Sequence, residues 1–421
     1  MFYKLKNLVK RITPPWMLST YHYLWALLSA VAFNHPSTRI TVIGVTGTKG
    51  KSSTIEFLNS IFEAAGYKTA IASTIRFKIR EESTPNAYKM TMPGRFFLQK
   101  FIADSVRAEC DILFVEMTSE GVKQHRHRFI ALDGLIFTNL QREHIESHGS
   151  FENYAKAKLE IGRALERSPK RPRTMVANAD DHYGSRFLSM RVENILPYTL
   201  TAAEPYTTTA TSGRFRFDGV DMSINMPGVF MVQNALAAAT MARAYQINPD
   251  IIARGLASLA HIPGRTEEIN LGQDFRVVVD YAHTPDSLRA LYEAYKDSRT
   301  ICVLGSTGGG RDVWKRPQMG TIAEEYCGHI ILTNEDPYDE DPNIIVSNIA
   351  SGMKQEPEII MDRHRAIRRA IELADTNNTV LITGKGTDAY LMGARGKKEK
   401  WSDAEEARVA IKARMDATRI Q

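Results

Sequence analysis

Cysteine is scarce, with three in 421 residues. Cys110, Cys302 and Cys327 each stand singly in apolar, strand-like surroundings. That argues for a reduced, cytoplasmic setting and against both disulfides and a zinc cluster. A basic stripe is also lacking, because 54 Lys and Arg are scattered among 48 Asp and Glu for a net charge of +6 and a pI near 9.0. Nucleic acid is therefore not the expected partner, and a phosphorylated or polyanionic small molecule accounts for the mild positive balance. There is no internal repeat or low-complexity segment. The one long apolar run, Trp16 to Phe33, follows Lys4, Lys6, Lys10 and Arg11 and is interrupted by Tyr21, His22 and Tyr23. It leads through Asn34 to Thr38 straight into a β-branched run with no cleavage site between, so it reads as a packed helix and not as a removable signal. Its basic, aromatic-rich character adds contact with a membrane surface as a second expectation.

What is present describes a soluble globular enzyme, 43% hydrophobic and 24% charged, too long for one ordinary core. The central stretch is Ile40 to Thr54, ITVIGVTGTKGKSST: a β-branched strand, a glycine loop and a helix start. Gly47, Thr48, Lys49 and Gly50 let backbone N–H groups wrap an anion. Lys51 brings a mobile positive charge to the β/γ-phosphates of a triphosphate, and Ser52, followed by Ser53, offers a hydroxyl to Mg²⁺. Ile55, Leu58, Ile61 and Phe62 then recur at helical spacing up to Gly66. The glycines at Gly44, Gly47 and Gly50 depart from the common phosphate loop, which wants one where Val45 stands. The form G-x-x-G-T-x-G-K-S resembles the ATP loop of Mur ligases and folylpolyglutamate synthetases, which join a carboxylate to an amine through an acyl phosphate.

Strands at Ile40–Val45, Ala70–Ile75, Ile112–Glu116, Leu135–Thr138 and Met175–Ala177, with helical stretches between, predict a doubly wound parallel sheet. Tyr198 to Met226 reads as antiparallel edge strands, and Asn234 to Tyr245 as an Ala-rich helix. After the turn at Ile262 to Thr266 a fresh βα series begins, with strands at Val277–Asp280, Thr300–Leu304, His329–Thr333 and Val380–Thr383. The expected organisation is α/β: an N-terminal helical segment (1–38), a P-loop central ATPase domain (39–262) and a smaller Rossmann-like C-terminal domain (263–421). Glu116 and His144 fall at or just beyond the carboxyl ends of neighbouring strands, on the side of the phosphate loop, where they suit Mg²⁺.

The string EHIESHGSFENYAKAKL, with VEMTSEGVKQHR and FTNL before it, is similar to UDP-N-acetylmuramoyl-peptide ligases of the MurE type. MPGVFMVQNALAAA, IPGRTEEI, VVDYAHTPDSL and GGGRDVWKRPQMG extend the likeness from about Tyr23 to Asp403. The resemblance implies an ATP-dependent ligase of peptidoglycan synthesis that adds an amino acid to a muramoyl peptide, with two Mg²⁺ sites. By position, Lys51 matches the phosphate lysine, and Ser52, Glu116 and His144 match metal ligands. Lys158 matches a lysine that the family carbamylates. Asn234, Arg265 and Asp280 match ATP contacts, and Thr91, Thr118, Gln124 and Arg126 match acceptor contacts. Catalysis would rest on Lys51, His144 and Lys158 in a monomer working on small molecules.

The family's UDP-gripping N-terminal domain has no counterpart before Arg39, which admits a lipid-linked or free-peptide acceptor. The family's Asp-Asn-Pro-Arg motif reads Glu335, Asp336, Pro337, Tyr338, and its GKGHE reads Gly384 to Asp388, GKGTD. An acid without the arginine implies lysine, ornithine or another amine in place of diaminopimelate, unless Arg311 or Arg316 substitutes. A catalytically silent Mur-fold binding protein would keep the fold but not Lys51, Ser52, Glu116, His144 and Lys158 together. A folylpolyglutamate-type ligase would share the ATP loop, but VVDYAHTPDSL and KRPQMG point to the MurE branch.

Overall fold

The computed structural model describes residues 13–420 apart from Lys89 and His144. Two units emerge, each with its own sheet. The first takes residues up to Gln141, Phe151–Leu200 and Leu236–Gly255, and the second takes Arg142–Ser150, Thr201–Ala235 and Leu256–Gln421.

The first unit opens with helix α1 (Pro15–Ala32), close to the predicted span, and no described helix is long and apolar enough to cross a membrane. Its sheet contains β1 (Thr41–Thr46), β2 (Thr69–Ala72), β3 (Arg76–Ile79), β4 (Glu82–Pro85), β5 (Ile112–Glu116), β6 (Gly134–Phe137), β7 (Thr174–Asn178) and β8 (Asn194–Tyr198), ordered β4-β3-β2-β5-β1-β6-β7-β8. The six strands β2, β5, β1, β6, β7 and β8 are parallel, and their central members are buried along their length, as a sheet covered on both faces requires. Val42, Leu113, Val115, Leu135 and Phe137 pack on one side with Ile102, Leu159 and Phe187. Phe114 points to the other side and meets Phe62 of α2 (Lys51–Ala64) at 5.3 Å between ring centroids.

Two departures from the sequence pattern have local causes. The strand expected to run to Ile75 stops at Ala72, because Ser73 Oγ accepts the N–H groups of Ile75 and Arg76 at 3.2 Å and turns the chain. The antiparallel hairpin β3–β4 follows at the sheet edge. Tyr198 closes a parallel strand paired with β7, not an antiparallel one. The antiparallel strands β9 (Thr207–Thr208), β10 (Gly213–Phe217) and β11 (Val220–Ile224) form a separate small sheet in the second unit.

The main sheet of the second unit contains β12 (Glu267–Glu268), β13 (Arg276–Asp280), β14 (Thr300–Leu304), β15 (His329–Leu332), β16 (Glu358–Ile359) and β17 (Thr379–Thr383), ordered β12-β13-β17-β14-β15-β16. All pairings except β12–β13 are parallel. Alternate residues sort into two cores. Val277, Val279, Ile301, Val303, Val380 and Ile382 face Ala366, Ile367, Ala407 and Ile411, whereas Val278, Cys302, Leu304 and Leu381 face Met319, Ile322 and Ala323. Arg363 and Asp403 join the two C-terminal helices through bonds of 2.7 and 2.8 Å, and both are fully buried.

The expectation that all cysteines stand unpaired is corrected here: Cys302 and Cys327 form a disulfide, with Cα atoms 6.1 Å apart. Cys302 lies on the face of β14 that the helix Lys315–Tyr326 covers, and Cys327 is the residue that ends that helix. A crossover helix returning over its own sheet brings the two together, which spacing along the chain does not reveal. Cys110 remains free and buried.

Candidate active site

β1 ends at Thr46 and the chain enters the glycine loop. Gly47 has φ 147°, and a Cβ there would lie 1.9 Å from Thr138 Oγ1, so the backbone approaches β6 more closely than any side chain allows. Gly50, with φ 81°, is the left-handed residue that starts α2. The loop is tied to the chain leaving β6: Thr48 N donates to Asn139 O at 2.8 Å and Lys49 N to Asn139 Oδ1 at 2.9 Å, while Thr138 Oγ1 donates to Lys49 O at 2.6 Å.

Four predicted residues meet at this loop. Lys51 Nζ donates to Thr48 O at 2.9 Å and lies 3.8 Å from Glu116 Oε1. Glu116, buried at the end of β5, accepts from Ser52 Oγ at 2.9 Å and from Thr74 N at 2.8 Å. Lys158 comes from helix Phe151–Glu166, where Tyr154, Lys158, Ile161 and Leu165 share the buried face. It donates to Gly47 O at 2.6 Å and sits 5.5 Å from the Tyr154 ring centroid, whose hydroxyl meets Thr48 Oγ1 at 3.0 Å. Ser53 is buried beside them in α2. Two ammonium groups and one carboxylate at a helix N-terminus leave a net positive locus suited to phosphate. His144 lies outside the described residues. Among the described residues, no three His, Cys, Asp or Glu side chains gather as a metal site.

The four expected acceptor residues also lie in the first unit. Thr91 Oγ1 meets Thr74 Oγ1 at 2.7 Å, next to the N–H that holds Glu116. Thr118 caps the short helix Ser119–Lys123. Gln124 Oε1 accepts from the Arg126 guanidinium at 2.7 Å, and Arg126 also donates to Met92 O. Burial, and then the nearby Arg95, lower the Arg126 pKa.

In the second unit Asp280 closes β13 and accepts the N–H groups of Thr266 at 2.7 Å and Ala282 at 2.6 Å. Arg265 lies over the Tyr281 ring at 4.4 Å. Asn234 is buried, with Met231 Sδ 4.0 Å from its amide nitrogen. A Cβ on Gly264 would stand 2.5 Å from Thr387 N, so the turn carrying Arg265 abuts the GKGTD loop.

Sequence reasoning passed over Lys385. Its side chain is 1% exposed and donates to both Asp336 oxygens at 2.9 Å, to Asp388 Oδ2 at 3.3 Å and to Tyr390 O at 2.9 Å. Asp336 and Asp388, expected to meet an incoming ammonium, thus already share a cation. Arg316 is fully buried and bonded to Glu340 at 2.6 and 2.9 Å. Arg311 is exposed and lies 4.9 Å over the ring of Tyr338. Gly384 (φ 107°) lies against Glu335, a buried carboxyl whose pKa burial pushes up and which accepts from Thr307 Oγ1 at 2.8 Å. The signal for Lys385 was its place between two glycines just past a buried strand.

A phosphate loop facing a strand-end carboxylate on a doubly wound sheet, with a Rossmann-like unit following in sequence, is the arrangement of an enzyme that works on a nucleoside triphosphate. Residues 45–242 match the Mur ligase middle domain, and residues 264–386 match the family described as Mur ligase, glutamate ligase domain. The UDP-N-acetylmuramoyl-L-alanyl-D-glutamate–2,6-diaminopimelate ligase of Syntrophomonas wolfei subsp. wolfei is 34% identical over 381 residues, covering 87% of this chain and 77% of that protein. The UDP-N-acetylmuramyl-tripeptide synthetase of Roseiflexus sp. is 34% identical over 418 residues, covering 92% and 81%. A solved diaminopimelate ligase structure of the first type superposes with a TM-score of 0.60 at 26% identity, covering 89% of this chain and 79% of that one. Folylpolyglutamate synthase of Mycobacterium tuberculosis with ADP shares the fold, at TM-score 0.71 and 17% identity over 92% and 96% of the two chains. The chain belongs to the Mur ligase family.

Proposed function

We propose that this ligase adds an amino acid to a muramoyl-peptide acceptor in peptidoglycan precursor synthesis, working as a monomer in the cytoplasm, where ATP is supplied. The observation that carries the reading is the meeting of Lys51, Ser52, Glu116 and Lys158 at one glycine loop. Gly47 to Ser53 take the triphosphate, and Asn234, Arg265 and Asp280 take the nucleoside end. The working division is an N-terminal segment (1–38), whose residues 1–12 lie outside the described residues, an ATP domain (39–262) and an amino-acid domain (263–421).

Thr91, Thr118, Gln124 and Arg126 hold the acceptor so that its carboxylate attacks the γ-phosphate in line, with Lys51 spreading the charge that develops. The incoming amine then displaces phosphate from the acyl phosphate, giving an amide, ADP and phosphate. Ser52 Oγ and Glu116 Oε2, 2.9 Å apart, are hard oxygen donors that would hold Mg²⁺, and by the resemblance His144, which lies outside the described residues, and Lys158 would serve as further ligands. When bound, Mg²⁺ neutralises phosphate charge. As an ammonium Lys158 is only a donor, so carbamylation is what makes it an oxygen ligand.

The charges around the GKGTD loop alter the choice of amino acid. With Asp336 and Asp388 sharing Lys385, Arg311, exposed over Tyr338, is a cation available for a distal carboxylate. This supports a substrate such as the 2,6-diaminopimelate in the relatives' names over L-lysine. ADP release across a matrix of acceptors (UDP-muramoyl dipeptide, lipid-linked, free peptide) and amino acids tests both parts. No acceptor-dependent release removes the ligase reading, and faster turnover with L-lysine than with meso-diaminopimelate removes the Arg311 assignment.

A further inference from the structure

Helix α1 turns its small residues inward: Ala26, Ser29 and Ala30 are buried. Ser19 Oγ lies 2.8 Å from His125 Nε2, and Trp25 packs edge-on against Phe96 at 5.5 Å. Outward, Met17, Tyr21, Leu24, Leu28 and Val31 follow at steps of four and three, each at least 46% exposed, and Trp16 at the leading end is 68% exposed. Such spacing lays one continuous apolar stripe along a helix. α1 carries no charged residue, and the first acid of the sequence is Glu56, whereas Lys4, Lys6, Lys10 and Arg11 precede the helix.

We propose that this face docks the enzyme on an anionic lipid bilayer. The apolar stripe and its Trp and Tyr residues suit the headgroup–acyl boundary, and the charge of the basic residues that precede it in sequence, which lie outside the described residues, suits anionic headgroups. A second copy fits less well. An 18-residue helix is about 27 Å long and its stripe covers roughly 300 Å², well below the ~800 Å² per partner of a stable interface. Two copies would also bring together segments that hold no acid. The docking face is joined to the acceptor loop, since His125, which Ser19 contacts, lies between Gln124 and Arg126. Resting on the reading of those two as acceptor contacts, the acceptor is one presented at a lipid surface.

Sedimentation of the full chain with vesicles of phosphatidylcholine alone, or with added phosphatidylglycerol, tests the docking. Binding is expected only with phosphatidylglycerol, released by raised salt, and weakened at least about tenfold in the double variant Leu24→Ser, Leu28→Ser. The variant should keep its solution mass by light scattering and its ADP release without vesicles. Equal binding to both vesicle types, or none, overturns the proposal. So does a wild-type dimer that the variant dissociates, which would assign the face to a second copy. ADP release is read separately, so a failed ligase reading and a failed docking face give different results.

Discussion

Two lysines in this molecule follow a glycine of positive φ just past a buried strand, and their fates differ. Lys51, after Gly50, is 14% exposed and bonds a loop carbonyl, with the Glu116 carboxylate 3.8 Å away. Lys385, after Gly384, is 1% exposed and bonds two aspartates and a carbonyl. The same local device leaves one cation at the glycine loop, where the proposed phosphate site lies, and commits the other to fixing a loop. A glycine–lysine signature does not tell which. The carboxylates gathered around the amine do, because a charge balanced within the fold has little left for a ligand.

The largest effect that tests this contrast is on rate. Lys51→Ala should lower amide formation by about 10³- to 10⁵-fold with an unchanged melting temperature, since its charge matters only when phosphate is present. Product formed at the wild-type rate would remove Lys51 from the chemistry. Lys385→Met should do the reverse and cost about 3–5 kcal/mol in denaturant unfolding, because Asp336 stays buried without its partner. Unchanged stability would make Lys385 a ligand residue like Lys51.

A third buried base sharpens the contrast, because the carboxylate beside it, Glu160, stands 4.0 Å from Nε2 and makes no hydrogen bond to it. His127 is 2% exposed, its ring nitrogens have no hydrogen-bond partner among the described residues, and burial, then Arg128, depress its pKa to about 4. The unfolded chain takes up a proton near pH 6.5 that the folded one refuses until about 4. Stability should therefore be full above 6.5 and fall as pH drops through that window, by about 3 kcal/mol in total. Denaturant unfolding of wild type and His127→Gln between pH 7 and 4 should show the extra slope only in wild type, and parallel curves would refute it.

On the proposed carbamylation of Lys158, Lys158→Ala should lose about 100-fold in activity and regain part of it with a small carboxylate or raised bicarbonate, which would replace the anion that the carbamate supplies to Mg²⁺. Inactivity without rescue leaves carbamylation unsupported. The smallest effect is on choice of substrate. Arg311→Ala should lower kcat/KM for meso-diaminopimelate about tenfold and spare that for L-lysine. An equal loss on both would place Arg311 in general binding.

What the sequence disclosed follows the same division between local and distant causes. Ile112–Glu116 and Thr300–Leu304 form strands at the bounds their β-branched runs predict, and α1 and the phosphate loop fall where periodicity and glycines put them. The turn at Ser73 was missed because a serine side chain outcompeted a strand-like run. The Cys302–Cys327 bond and the pairing of Lys385 with Asp336 were missed because each joins residues brought close only by the sheet. Lys158 looked like one lysine among several, yet its spacing from Tyr154, Ile161 and Leu165 already put it on the buried face.

The tether between the phosphate loop and the chain leaving β6 bears on how fast and how tightly nucleotide binds. Fixing one residue's backbone takes about 1–2 kcal/mol of conformational entropy, and a slack loop of four residues would draw that from its ligand each time it closed. Thr138 and Asn139 hold Gly47 to Gly50 in place while the protein folds. The loop acts as a socket, not a glove, so its ordering is settled once and the affinity for phosphate is kept for discriminating one charge state of nucleotide from the next.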